Sequence, residues 1–470
     1  NIGAITASDS NNGHDVIFVT SGGTGDISLF GFDGDNAANA TNADLTLNAG
    51  GSSGVVSVGA ISDTGTVTVT QSGGTTFSGN IAVANLTITD TEDAASVTFA
   101  NGQDVDITTG FTVSNAGSDA YNVVINSSTF DAAGDTNFLN EGTLTLGNGG
   151  DTLTFAGGLS TDGNGGADLP STVTLSGTIN TTNTQMDLGA VTLAGTTVLD
   201  TGNHASGILN VGAVTSATNA LTLDSGATAG ATIGLGSFVD ASGGLTIRDA
   251  GGLVTLGDIG SGAAGAVTIT DSTSGVTFSA NVDATTLTIT DTEDAASVTF
   301  ANGQDVDITT GFTVSNAGSD AYNVVINSST FDAAGDTNFL NEGTLTLGNG
   351  GDTLTFAGGL STDGNGGADL PSTVTLSGTI QTAGIQMNLG GVTLGSDTIL
   401  KSDGNSATGD ANIIVGAVGV TSNDDLTITS TGTVDFTGTV NLGSGDLDVT
   451  IDTATEGTDT LVIDQTITAN

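Results

Sequence analysis

The sequence predicts an all-β chain folded as a parallel β-helix, or β-solenoid, with about 20 residues per coil. Three observations carry that expectation. The block from Leu86 to Ile179 returns from Leu287 to Ile380 without a single substitution. Inside it, apolar triplets centred on Thr or another polar residue alternate with Gly, Asn and Asp, and each triplet is too short to bury itself. No stretch shows helical periodicity, and Gly, Thr, Asn and Asp penalise a helix throughout. Short strands repeated in tandem become stable when stacked, because each coil covers the face its neighbour leaves open.

In chain order the strand-like runs are VIFV (16–19), ISLF (27–30), LTL (45–47), VVSV (55–58) and VTVT (67–70). They continue as LTI (86–88), VDI (105–107), VVI (123–125), LTL (144–146), VTL (173–175) and VTL (191–193). In Leu86-Thr87-Ile88 side chains alternate, so Leu and Ile face inward and Thr faces solvent. β-Branched Thr suits that outward place because its stiff χ1 fits the pleat. Leu144-Thr145-Leu146, Leu221-Thr222-Leu223 and Leu245-Thr246-Ile247 repeat the pattern. Minor triplets such as VTF (97–99) and LTF (153–155) are expected to form the other faces of each coil.

The larger repeat extends past the identical block. Residues 65–81 resemble 265–282 with one insertion, and 185–193 resemble 386–394. Two solenoid units are expected, 1–264 (including a strand-rich join from about Thr201) and 265–470. With no Pro/Ser linker between them, they are expected to form one continuous rod.

Composition narrows the function classes. The chain has 470 residues, 74 of them Gly and 2 Pro, so it is neither collagen-like nor a Pro-rich disordered chain. The net charge of −49 would favour disorder, but charged residues make up only 11 % and the apolar residues alternate as in strands. Glu stands only at Glu92, Glu141, Glu293, Glu342 and Glu456, so the acidity is nearly all Asp, a turn residue. Arg248 and Lys401 are the only basic side chains, which removes any footprint for nucleic acid or anionic lipid. They also leave a trypsin-like protease two sites. Without cysteine there is no disulfide, thiolate metal site or Cys nucleophile. No apolar run approaches the roughly 18 residues needed to span a bilayer, and the opening at Asn1 lacks a leader, as expected of a processed portion of a longer exported chain.

The acidic Gly-rich turns are the best candidates for a specific site, and the ion they suit is calcium. Gly147 to Leu153, with Asp151, partly matches the Gly-rich nonapeptide of calcium-binding β-rolls, and Asp352 is its copy. Asp162, Asn164 and Asp168 open with the spacing of a calcium loop, although Val173 stands where a bidentate Glu should. Their copies are Asp363, Asn365 and Asp369, and Asp33 with Asp35 makes a third cluster. The competing account is solvated turn carboxylates with diffuse counter-ions. Stacked Thr rows could offer a hydroxyl array of the kind some ice-binding solenoids use, but Thr also simply suits outward β positions. His14 and His204 are isolated from any cluster. Asn39, Asn85, Asn126, Asn180 and Asn327 begin N-x-S/T triplets, which matter only in a glycosylating secretory route.

The LTL/VTL triplets, GNGGDTLTF, GAVTLAGTT and the near-absence of Lys, Arg and Cys resemble the β-strand-repeat regions of bacterial surface exoproteins, similar to filamentous-haemagglutinin-type proteins and autotransporter passengers. The resemblance covers essentially the whole chain and implies a right-handed parallel β-helix, export to the bacterial cell surface, and a role in adhesion, matrix or surface-layer structure. A non-catalytic structural and adhesive rod is therefore expected. Its partners would be copies or further repeats of the chain and a host or matrix surface ligand, without membrane insertion. The alternatives are a self-assembling filament or sheath subunit, and a β-helix carbohydrate-active enzyme built on paired carboxylates. The enzyme is disfavoured by the scarcity of bases and aromatic platforms.

Overall fold

A computed structural model describes residues 2–6, 15–20, 25–34, 42–51, 53–114, 116, 119–162, 168–239, 242–315, 317–318, 320–364, 369–402, 411–451, 460–463 and 467–468, without the side chains of 261–263. Among these residues there is no α-helix, and the strands pair in parallel to form a β-solenoid. The chain forms two compact units, residues 1–234 and 235–470.

In the first unit each coil contributes a short strand to each of three faces, A, B and C, in that order along the chain. Face A stacks Val56, Thr75, Val97, Val123, Leu144, Val173 and Val191 in one inward rank. Face B stacks Phe32, Ile61, Ile81, Val105, Phe130, Leu153, Ile179 and Leu199. Face C stacks Val16, Leu45, Val67, Leu86 and Phe111, and resumes as Leu159, Met186 and Leu209. The alternation read from the triplets holds, since Leu86, Leu144 and Leu245 are each 0 % exposed. The intervening positions face outward, and on face A they form the rank Ser57, Thr76, Thr98, Val124, Thr145, Thr174 and Thr192.

The second unit repeats the scheme. Its inward ranks are Val254, Val276, Val298, Val324 and Leu345 on face A, and Ile259, Val282, Val306, Phe331 and Leu354 on face B. Leu245, Val267, Leu287 and Phe312 form face C.

The coil is longer than expected, about 24 residues rather than about 20. Leu86 of face C pairs with Phe111, not with the nearer VDI run, which belongs to face B with Ile81 to Val83. Successive triplets along the sequence thus sit on different faces, and their spacing underestimates a full turn. The turn also varies, since Leu144 pairs with Val173 and Val173 already with Val191.

Because the cross-section is narrow, the three faces meet on the axis. Phe99 of face A lies 5.3 Å from the Phe130 ring of face B and 5.9 Å from the Phe111 ring of face C, both edge-on, and stacks on Phe77 at 5.0 Å. Such pairs add to the burial of the rings themselves. Corners are closed by residues that tolerate tight approach. Gly147, at φ 79°, has the carbonyl oxygen of Ser176 where a Cβ would sit.

Candidate functional site

Structural duties claim part of the sequence-derived calcium set. Asp151 is buried, and its Oδ2 accepts the backbone N–H of Asn148 at 2.9 Å, closing its own Gly-rich turn. Asp352 does the same with Asn349 at 2.8 Å. Asp162 accepts from the Ser160 hydroxyl at 3.0 Å, and Asp363 from Ser361 at 2.9 Å. Asp168 is half-buried and Asp369 exposed, while Asn164, Asn365, Asp35 and His14 lie outside the described residues. The copies also differ beside Asp162 and Asp363, where Asp187 is replaced by Asn388. Burial, then the charge of Asp162, raises the Asp187 carboxyl above its ordinary value, whereas Asn388 in the second copy donates to Asp363 at 2.7 Å. Among the described residues no three acidic or His side chains stand together as a metal cage.

A further acidic arrangement is a groove on face B of the second unit, a cavity of about 520 Å³ lined by Asp258, Asn281, Asp283, Asp305 and Asp307 with Ser237. Two parallel columns build it. At the corner leading into face B, Asp258 Oδ1 accepts the Asn281 N–H at 3.2 Å, and Asn281 Oδ1 accepts the Asp305 N–H at 3.0 Å. Asp305 in turn accepts from the Thr330 hydroxyl. Each of these side chains ties its coil to the next. Beside them, Asp283, Asp307 and Asp332 stand in register at the outward positions of three successive strands. Rungs of a sheet are about 4.8 Å apart, so three carboxylates repel one another along the column. Burial first, then Asp283, Asp332 and Asp305, raises the Asp307 carboxyl above the usual range. In the first unit Ala82 occupies the place of Asp283, leaving Asp106 and Asp131.

Sequence pattern alone does not single out this column. The signal is an Asp between two inward residues in each of three strands, as in Val282-Asp283-Ala284, Val306-Asp307-Ile308 and Phe331-Asp332-Ala333. It becomes legible only once the register is known. Chemically the groove concentrates negative charge and attracts cations.

Comparison with protein-family models, with curated proteins and with solved structures gives no match. The class that the fold defines is the β-solenoid repeat protein.

Proposed function

We propose that this chain is a non-catalytic structural segment of a bacterial surface protein, an extracellular β-solenoid that provides length and presents adhesive or matrix-contacting faces. The observation that carries this reading is the in-register parallel stacking of short strands on three faces within each unit. Outward ranks such as Thr145, Thr174 and Thr192 repeat one small polar surface from coil to coil. Such repetition suits a scaffold that displays a surface many times. The likeness to exoprotein repeat regions supports the same conclusion, as does a sequence with only two sites for trypsin-like proteases. Antibody labelling of intact, unpermeabilised source cells is the expected result. Recovery of the chain in the cytosol would sink the proposal.

One observation favours another reading. The acidic groove favours a carbohydrate-active enzyme, because glycoside cleavage uses one protonated and one ionised carboxyl. A polysaccharide cleaved by the natural chain but not by D307N would replace the structural reading.

A further inference from the structure

We propose that the corner joining face C to face A holds a calcium-class divalent cation in each unit, on Asp90 and Asp119 in the first and on Asp291 and Asp320 in the second. The inference stands apart from the structural role argued above. Asp90 is only 9 % exposed, and its buried Oδ1 accepts no hydrogen bond. The buried Oδ1 of Asp291 is equally without a donor. A buried carboxylate oxygen with no partner is costly and calls for a cation or a proton.

The fold brings a second carboxylate over each. Ala94 N–H donates to Ala120 O at 3.0 Å, and Ala120 N–H to Asp93 Oδ1 at 2.9 Å, which lays the segment carrying Asp119 against the Asp90 turn. The corresponding bonds in the second unit, Ala295 to Ala321 at 3.0 Å and Ala321 to Asp294 at 2.8 Å, do the same for Asp320. There the convergence is direct. The place a Cβ on Gly318 would take is filled by Asp291 Oδ2, and Asp320 Oδ2 lies 2.9 Å from the same point. Burial and then the charge of Asp119 raise the Asp90 carboxyl, and burial and then Asp320 raise Asp291.

No Lys or Arg occurs in 86–125 or 267–326, so neither segment supplies its own counter-charge. Two carboxylates suit calcium, which completes a flexible shell of six to eight oxygens with carbonyls and water; magnesium demands a stricter octahedron. The second site should be the tighter. The charge of Asp271 reaches Asp291 there, whereas the first unit has Gln71 in its place; Glu293 only repeats Glu92.

Terbium, a calcium-sized luminescent ion, provides the test. The chain has two Tyr and no Trp. Both phenols feel these carboxylates, Tyr121 that of Asp90 and Tyr322 that of Asp291. Excitation through tyrosine should give saturable terbium emission with about two ions per chain, displaced by calcium far better than by magnesium. D291N or D320N should remove about half the emission and D90N/D291N nearly all, while D332N on face B should leave it intact. Should the double variant fail to fold, G318A is the second probe. Its φ is ordinary, so its added methyl acts on the two carboxylates, and it should weaken the second site alone. The proposal is overturned by emission that never saturates or survives D90N/D291N, by an unaltered second site in G318A, or by a melting temperature that rises on acidification but not with calcium.

Discussion

Replacing Phe99 by Ala tests whether the three faces share one axial core. The ring is 0 % exposed and takes part in three aromatic pairs, with Phe77, Phe111 and Phe130. Truncating a buried Phe to Ala ordinarily costs about 3–5 kcal/mol. Each lost ring pair carries roughly 0.5–1.5 kcal/mol beyond area burial, so the cost should fall in the upper half of that range, about 4–5 kcal/mol. F99L keeps most of the volume and should cost about 1–2 kcal/mol. The internal duplication supplies a control within the same molecule. Phe300 makes the matching contacts with Phe278, Phe312 and Phe331 at 4.7, 6.0 and 5.4 Å. F300A should therefore match F99A within about 0.5 kcal/mol. Urea unfolding of each variant, followed by circular dichroism, measures both. A cost below about 1.5 kcal/mol for F99A, or near-equal values for F99A and F99L, would refute an axis on which rings from three faces meet.

Four further outcomes are expected. G147A forces a side chain onto the Ser176 carbonyl at a positive φ, and should cost roughly 2 kcal/mol or more in chemical denaturation; G348A, against Ser377, should match it. N140A removes a fully buried amide that donates to Tyr121 O at 2.9 Å and Thr143 O at 3.1 Å, a loss of about 2–3 kcal/mol by the same assay. The carboxyls of Asp90, Asp187, Asp271, Asp291, Asp307 and Glu293 are all raised, chiefly by burial. The folded chain thus holds those protons more tightly than the unfolded one. Their penalty is absent below the ordinary carboxyl range and complete above the raised values, so in calcium-free buffer the melting temperature should fall as pH rises from about 4 toward neutrality, and added salt should flatten the fall. Trypsin has only Arg248 and Lys401 to attack, and both lie within strands, Leu245–Ala250 and Val392–Ser402. The native chain should survive digestion that yields three fragments from the urea-unfolded chain, because cleavage requires local opening.

The acidic groove shows how far residue order reaches toward a site. Asp283, Asp307 and Asp332 are distant in sequence and become neighbours only because Val282, Val306 and Phe331 stack beneath them. Asp151 shows the opposite case. Its Gly-rich setting suggests an ion ligand, yet the fold turns its carboxylate onto the Asn148 N–H. Asp90 sits in an ordinary-looking turn, and its burial and the charge of Asp119 beside it emerge only in the fold.

By itself the sequence determined that the chain is all-β and that Leu86, Leu144 and Leu245 lie inward. These follow from a local rule, side-chain alternation along a strand; the acids divide between corners and the outward positions of strands, as at Asp283, Asp307 and Asp332. Only the tertiary structure decided which strands share a face, that a coil takes about 24 residues, and which carboxylates meet. The physical reason is loop closure. Its cost grows only slowly with length, so Leu144 reaches Val173 around a long coil and Val173 reaches Val191 around a short one. Strand spacing along the chain therefore does not encode which strands will stack.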